Sequence, residues 1–371
     1  MKVAIIGSRG YPYVYSGYET LVKELAERLV HMGVEVRVYC HRSLFKSRPK
    51  TVNGVKLVYV PAIEQKILSQ LSHSFLSMLH CCLSDVDVIL AVNPANGPFG
   101  MLARLFRKKT AINLDGLEWQ RPKWKGLGSK YFFWASGFAT KWYDRLINDS
   151  EEMRKIYLEI FKKDSTVIAY GANIRQSTDA ALIQKWGLEP AGYYLIVGRL
   201  IPDNNADIIV DGFMKSQAKR KLVIVGDVPY KDEYATSIKA LASQDDRLVF
   251  TGYVTDPNEL AELYHQAYGY FHGHEYGGTN PTMIKALAYG SAILALNTRF
   301  NQEMLQEGKF GLYFEKSGQS VQQIVDFAEN NEDKMKELKK DSKAGVTPKY
   351  QWDNVAAAYL KVFEELTGQR Q

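Results

Sequence analysis

The chain has 371 residues, more than one hydrophobic core usually serves, so two domains are expected. Hydrophobic content of 46% and charged content of 24% are ordinary for a globular protein, and no run of about 18 apolar residues offers a membrane-spanning helix. A formal net charge of +6 suits an anionic substrate or surface and is too small to argue for nucleic acid. Cys40, Cys81 and Cys82 cannot all pair, adjacent cysteines rarely do, and their spacing suits no metal site, so a reduced, cytoplasmic chain is expected.

The opening MKVAIIGSRG has too short an apolar run for a signal peptide and reads as a first strand, 3–7. Residues 20–32 place Leu21, Leu25, Leu29 and Val30 near one helical face. Further strands are predicted at 34–39, 55–60, 86–92, 110–114, 145–149 and 166–169, with an amphipathic helix at 151–161. Several of these strands are apolar on both faces and alternate with helical patterns, the signature of βαβ units in parallel sheets. Residues 171–192 lose the pattern around Gly171, Gly187, Pro190 and Gly192, which places the interdomain connection there. Strands resume at 193–197, 221–225, 248–251, 269–272 and 292–296, and the tail 352–366 is a strongly amphipathic helix. The expected architecture is α/β, with two Rossmann-like parallel-sheet domains at 1–172 and 173–349. A helical segment, 350–371, is expected to return to the first domain.

In open parallel sheets ligands bind beyond the carboxyl ends of strands, so the turns there carry the candidates. The first, Gly7-Ser-Arg-Gly10 continuing through Tyr15, Gly17 and Glu19, has glycines for close backbone approach and Tyr11, Tyr13 and Tyr15 for stacking on a ligand ring. It lacks the GxGxxG dinucleotide pattern and is too long for a tight pyrophosphate turn. It also reads as a plain strand-to-helix loop. The second, DGLEWQRPKW at 115–124, gathers Asp115, Glu118 and Trp119 beside basic groups. Carboxylates accept from hydroxyls and indoles stack on pyranoses, so the loop suits sugar recognition; a solvated loop with its tryptophans in the core is the alternative. The third is Gly198-Arg199, where an arginine can hold a phosphate bidentately or stand as an ordinary surface arginine. The fourth is HEYGGTNPTMIKAL at 274–287. Asn280 and Pro281 suit the N-cap and first helical positions, while Gly277 and Gly278 expose N–H groups at a helix mouth. Arg199 and that mouth together fit one pyrophosphate.

At these positions the chain resembles a known family, the retaining glycosyltransferases of family 4 with the two-domain GT-B fold. VGRLIPDNN is similar to its Gly-Arg donor loop. HGHEYGGTNPTMIKALAYGSAILA is similar to its donor motif of paired glutamates, and YQWDNVAAAYLKVFEEL to its final helix. More narrowly, IIGSRGYPYVYSGYET, NLDGLEWQRPKW and HGHEYGGTNP resemble bacterial rhamnosyltransferases of surface-polysaccharide synthesis. The resemblance implies a nucleotide-sugar donor, dTDP-L-rhamnose above all, and no cofactor or metal. It implies a saccharide acceptor on a lipid carrier at the inner membrane face, bound by the first domain through Gly10, Tyr15, Gly17, Glu118 and Trp119. The donor would be held by Gly198, Arg199, Asn204, Gly277, Gly278, Thr279, Asn280 and Lys285. Asp115, Arg199 and Glu275 would be catalytic.

Three residues depart from the family pattern. Asn204 stands where many members have a lysine, Asp115 where many have a histidine, and Lys285 where the second glutamate sits. Lys285 falls on roughly the face of Pro281 and could supply the cation missing at Asn204. Two readings stay open beside the enzyme: a binding partner on the same fold that has lost turnover, and a nucleotide-sugar epimerase. The stretch 104–130 is basic through Arg104, Arg107, Lys108, Lys109, Arg121, Lys123, Lys125 and Lys130. It is interleaved with Phe106, Trp119 and Trp124, which suits an anionic membrane surface; a charged solvated face is the alternative.

Overall fold

The computed structural model describes residues 1–12, 17–65, 68–122, 124, 126–228 and 232–368. The chain divides into two units, Met1–Gly171 with Lys349–Gln371, and Ala172–Pro348. Unit 1 runs β1 (Lys2–Ile6), α1 (Gly17–His31), β2 (Glu35–His41), β3 (Thr51–Val52), β4 (Val55–Val60), α2 (Leu68–Leu83), β5 (Val88–Val92), α3 (Gly100–Leu105), β6 (Lys109–Leu114), α4 (Leu127–Trp142), β7 (Arg145–Asn148), α5 (Glu151–Phe161) and β8 (Thr166–Val167). Unit 2 runs β9 (Tyr193–Val197), α6 (Ala206–Lys215), β10 (Lys221–Val225), α7 (Glu233–Ala242), β11 (Leu248–Gly252), α8 (Pro257–Gln266), β12 (Gly269–His272), α9 (Pro281–Ala288), β13 (Ile293–Leu296), α10 (Arg299–Met304), β14 (Gly311–Phe314), α11 (Gly318–Asn330) and α12 (Glu332–Asp341). The last helix, α13 (Trp352–Thr367), belongs to unit 1.

The sheet of unit 1 has the order β3-β4-β2-β1-β5-β6-β7-β8, parallel except where β3 folds back on β4. The sheet of unit 2, β11-β10-β9-β12-β13-β14, is parallel throughout. Strands such as Val88–Val92 and Ile293–Leu296 are buried at every residue because helices cover both faces, which is why they read as unbroken apolar runs. Helix ends follow local chemistry. Ser150 caps α5 by accepting from the Met153 N–H, and Lys162 ends it in the left-handed region at φ 54°. Strand β14, GLYF, is absent from the sequence reading.

Helix α13 lays its apolar stripe against unit 1, beside α1. Tyr359 and Asn113 of β6 are both fully buried, and the Asn113 amide donates to the Tyr359 hydroxyl at 2.9 Å. Ion pairs Arg28–Asp353 at 2.8 Å and Arg145–Glu365 at 3.0 Å sit at the helix edges. Trp352 rests on Gly171, where a Cβ would come within 2.6 Å of the indole. Replacing Tyr359 by Phe removes an acceptor from a buried amide and is expected to destabilise unit 1 by about 1–3 kcal/mol. Calorimetric unfolding checks this as a lowered transition for unit 1; an unchanged transition counts against it.

Candidate functional site

In unit 2 the strand order reverses between β9 and β12, so their carboxyl ends flank the crevice where such sheets bind ligands. The turn after β9 carries Gly198 and Arg199, both half-buried, and tightens through the 3-10 turn Pro202–Asn204. The Asn204 side chain donates to the Arg199 carbonyl at 2.8 Å, and its Oδ1 pairs with His274 Nδ1 at 2.9 Å. Asn205, left-handed at φ 50°, donates to the Gly273 carbonyl at 2.8 Å, and the Glu275 N–H donates to the Asp203 carbonyl at 3.1 Å. The two post-strand turns are thus stitched together. A Cβ on Gly273 would stand 2.2 Å from the Asn204 carbonyl oxygen, so only glycine allows this approach. Among the described residues the Arg199 guanidinium enters no ion pair or hydrogen bond. Asn204 therefore acts as a loop brace rather than reaching out as a donor ligand.

The helix mouth of α9 forms as its sequence implies. Asn280 Oδ1 accepts from the Thr282 N–H at 3.0 Å and the Thr282 hydroxyl at 2.7 Å, with Pro281 in the first turn. The N–H groups of Gly277 and Gly278 make no hydrogen bond among the described residues, and Gly278 and Thr279 are buried. Glu275 is half-buried and paired with Lys316, which follows β14, at 2.6 Å. Lys285 is half-buried on α9, one turn in from the cap. His272, at the end of β12, is buried, and burial drives its imidazole down to about 3, so it is neutral.

In unit 1, Asp115 follows β6. The Tyr170 hydroxyl donates to its Oδ2 at 2.5 Å and the Tyr18 hydroxyl to its main-chain carbonyl at 3.4 Å. Burial pushes its carboxyl up to about 6, against the opposing pull of the Tyr170 and Tyr18 hydrogen bonds. That value suits a group exchanging protons near neutrality.

Several of its neighbours named as acceptor residues have partners inside unit 1. Glu118 is buried, with one oxygen 2.9 Å from the Arg121 guanidinium and the other accepting from the Trp124 indole at 2.7 Å. It holds the loop together, with both oxygens partnered inside unit 1. The half-buried Trp119 ring makes T-shaped contacts with Phe133, Tyr157 and Phe161 at 5.9–6.0 Å, packing within unit 1. Gly10 is buried at φ 126°, where a Cβ would meet Cys40 and Phe45 at 2.9 Å. Its glycine serves packing. Tyr11 is buried too, donating to Glu27 at 2.6 Å. Gly17 opens α1; Tyr13 and Tyr15 lie outside the described residues.

The two halves of the chain match two family profiles, Glycosyltransferase Family 4 over residues 15–176 and Glycosyl transferases group 1 over residues 179–345. The chain belongs to the GT-B glycosyltransferases. Sucrose-phosphate synthase from Thermosynechococcus elongatus superposes with a TM-score of 0.85 at 16% identity, covering 100% of both chains. HepE of Anabaena, solved in complex with UDP-glucose, gives a TM-score of 0.78 at 13% identity over 98% of this chain and 100% of its own. Alpha-monoglucosyldiacylglycerol synthase of Streptococcus pneumoniae is 28% identical over 147 residues, 38% of this chain; the chain spans only 33% of that relative's length.

Several residues of this glycosyltransferase site escape sequence reasoning. Tyr18 and Tyr170 reach Asp115 from distant segments, and nothing local signals that. His274 and Lys316 sit beyond strand ends and follow from the rule that singled out Arg199, once β14 is recognised. The raised Asp115 carboxyl has a thermodynamic consequence. As pH rises from about 4 to about 6 the unfolded carboxyl ionises while the buried one holds its proton, so stability falls by up to roughly 3 kcal/mol and stays lower above. Asp115→Asn is expected to remove that fall; melting curves across the window check it, and an unaltered pH dependence would contradict the burial argument.

Proposed function

We propose that this glycosyltransferase moves a hexosyl unit from a nucleoside-diphosphate sugar to a saccharide acceptor, unit 2 holding the donor and unit 1 the acceptor. One observation carries the reading. At the β9/β12 switch point an uncommitted guanidinium, Arg199, shares the turn cluster with the unused N–H groups of Gly277 and Gly278 at a capped helix mouth. Fixed cations and amides of this kind neutralise a departing diphosphate. The UDP and UDP-glucose bound in HepE support a nucleotide-sugar donor. The strings shared with rhamnosyltransferases favour dTDP-L-rhamnose and a role in polysaccharide synthesis. The glycolipid named in the Streptococcus relative supports an acceptor on a lipid carrier, and with it work at a membrane face.

The chemistry follows from this charge placement. In a retaining, front-face transfer the acceptor oxygen bonds to the anomeric carbon as the bond to phosphate breaks. The diphosphate leaves with the electron pair, and the acceptor proton passes to the departing phosphate oxygen. Arg199 and the helix-mouth amides stabilise the charge on that phosphate without a metal. Glu275, steadied by Lys316, accepts from hydroxyls of the transferred sugar, and Asp115 orients the acceptor. A second reading, a donor-binding protein without turnover, is favoured by Lys285 standing where the family has a glutamate.

Calorimetric titration with UDP-glucose and dTDP-L-rhamnose decides the donor. Arg199→Ala is expected to weaken binding of the better one by about 10–100-fold, the cost of losing hydrogen bonds to a charged group. Unchanged affinity would sink the donor assignment. Lys285→Glu is likewise expected to weaken donor binding. Transfer by the native chain rejects the second reading, and donor binding with no transfer or donor hydrolysis supports it.

A further inference from the structure

The tryptophans of the basic stretch, Trp119 and Trp124, face inward: Trp119 lies in an aromatic cluster, and Trp124 is bonded to Glu118 and packed 4.8 Å from Phe132. The exposed apolar groups of this region lie elsewhere. Helix α4, LGSKYFFWASGFATKW, buries Phe132, Ala135, Ser136 and Ala139 and turns a second apolar face outward. On that face Leu127 is 84% exposed, Trp134 64%, Phe138 43% and Phe133 41%. Exposed apolar residues scattered singly are normal; a row of four large ones on one helix is not. Phe133, Trp134, Gly137 and Phe138 with Phe161 at the end of α5 line a groove of about 460 Å³, with Lys141 among its lining residues.

On α3 and α4 the exposed charges beside the groove are basic. Between Val88 and Tyr143 the chain has two carboxylates, Asp115 and Glu118, and both are engaged inside unit 1. Lys130 and Lys141 are exposed on α4 itself. Arg104 of α3 reaches the Lys141 carbonyl at 3.4 Å, which sets the end of α3 beside the end of α4 and adds Leu105, 76% exposed, to the same region. Lys162 and Lys163 follow Phe161, with Glu159 and Asp164 the acids of that helix end, Asp164 paired with Arg154 at 2.6 Å. Aromatic side chains framed by long cations that keep their heads in water are the composition of a surface that enters the headgroup layer of an anionic bilayer.

We infer that the outer face of α4 is a membrane-docking site, with the groove of Phe133, Trp134, Phe138 and Phe161 taking the acyl chain of an anionic phospholipid. Lys130, Lys141 and Arg104 meet the phosphate. Trp134 sits at the boundary, its ring among the upper acyl carbons. Binding then adds apolar burial to an electrostatic attraction worth about 1 kcal/mol per basic residue near the surface, and raised salt screens the second part. This inference stands on the α4 surface alone; a chain that binds vesicles and transfers no sugar would end the preceding reading and leave this one intact.

The test is co-sedimentation of the full chain with vesicles of phosphatidylcholine alone and of phosphatidylcholine with phosphatidylglycerol in equal parts. Retention on the mixed vesicles, weakened by salt, is expected. The double substitution Trp134→Ser with Phe138→Ser is expected to weaken it at least about tenfold, and Lys130→Glu with Lys141→Glu comparably at low salt. All four side chains are exposed, so thermal melting of the variants is expected to match the native chain and separates lost docking from lost folding. Three results overturn the inference: no retention on the mixed vesicles, retention indifferent to the aromatic pair, or self-association of the chain through these aromatics in sedimentation velocity with no vesicle binding.

Discussion

The donor side of this protein depends on backbone packed directly against backbone. Three turns of unit 2, after β9, β10 and β12, come so close that no side chain fits between them. A Cβ on Gly226 would lie 2.1 Å from the Gly198 carbonyl oxygen, and Gly226 holds φ at 117° besides. Gly273 meets the Asn204 carbonyl in the same way. Close approach lets short amides tie the turns, Asn204 to Arg199 and His274, and Asn205 to Gly273. Arg199 can then stay uncommitted because its loop is held without it. A preorganised cation of this kind loses little in reorganising when a diphosphate arrives, which is where its electrostatic advantage lies.

Unit 1 handles its carboxylates by the opposite principle. Glu118 is neutralised at once by Arg121 and Trp124 and becomes scaffold. Asp115, three residues earlier, receives tyrosine hydroxyls rather than a cation within hydrogen-bond reach, and burial outweighs them in raising its carboxyl. Two acids on one loop thus take different roles from their surroundings alone, the pattern expected where a fold tunes proton affinity for a task. Helix α13 contributes to this region through Tyr359, which bonds Asn113 two residues before Asp115.

Legibility in the sequence followed the range of the interaction. Elements whose signals are local came through well. Helix Glu151–Phe161 and strands Tyr193–Val197, Lys221–Val225 and Gly269–His272 lie where their patterns put them, and Asn280 caps α9 as its neighbours imply. Strand β14, GLYF, escaped. The aromatic residues misled most. A tryptophan on a post-strand loop has the same composition whether it faces a ligand or a cluster of phenylalanines, and Trp119 faces the cluster.

By itself the sequence determined the α/β class, the parallel sheets, the turns that carry the polar chemistry and the family strings, because periodicity, caps and glycine placement act over a few residues. The tertiary structure decided which of those groups are committed. It assigned Glu118 to a brace, Gly10 to packing against Cys40, and Trp134 to an outward face of a helix that is apolar on both sides. It also raised the Asp115 carboxyl by burial, against the downward pull of the Tyr18 and Tyr170 hydroxyls. Burial and partnership are properties of neighbours distant in sequence, and chain order carries no local signal for them.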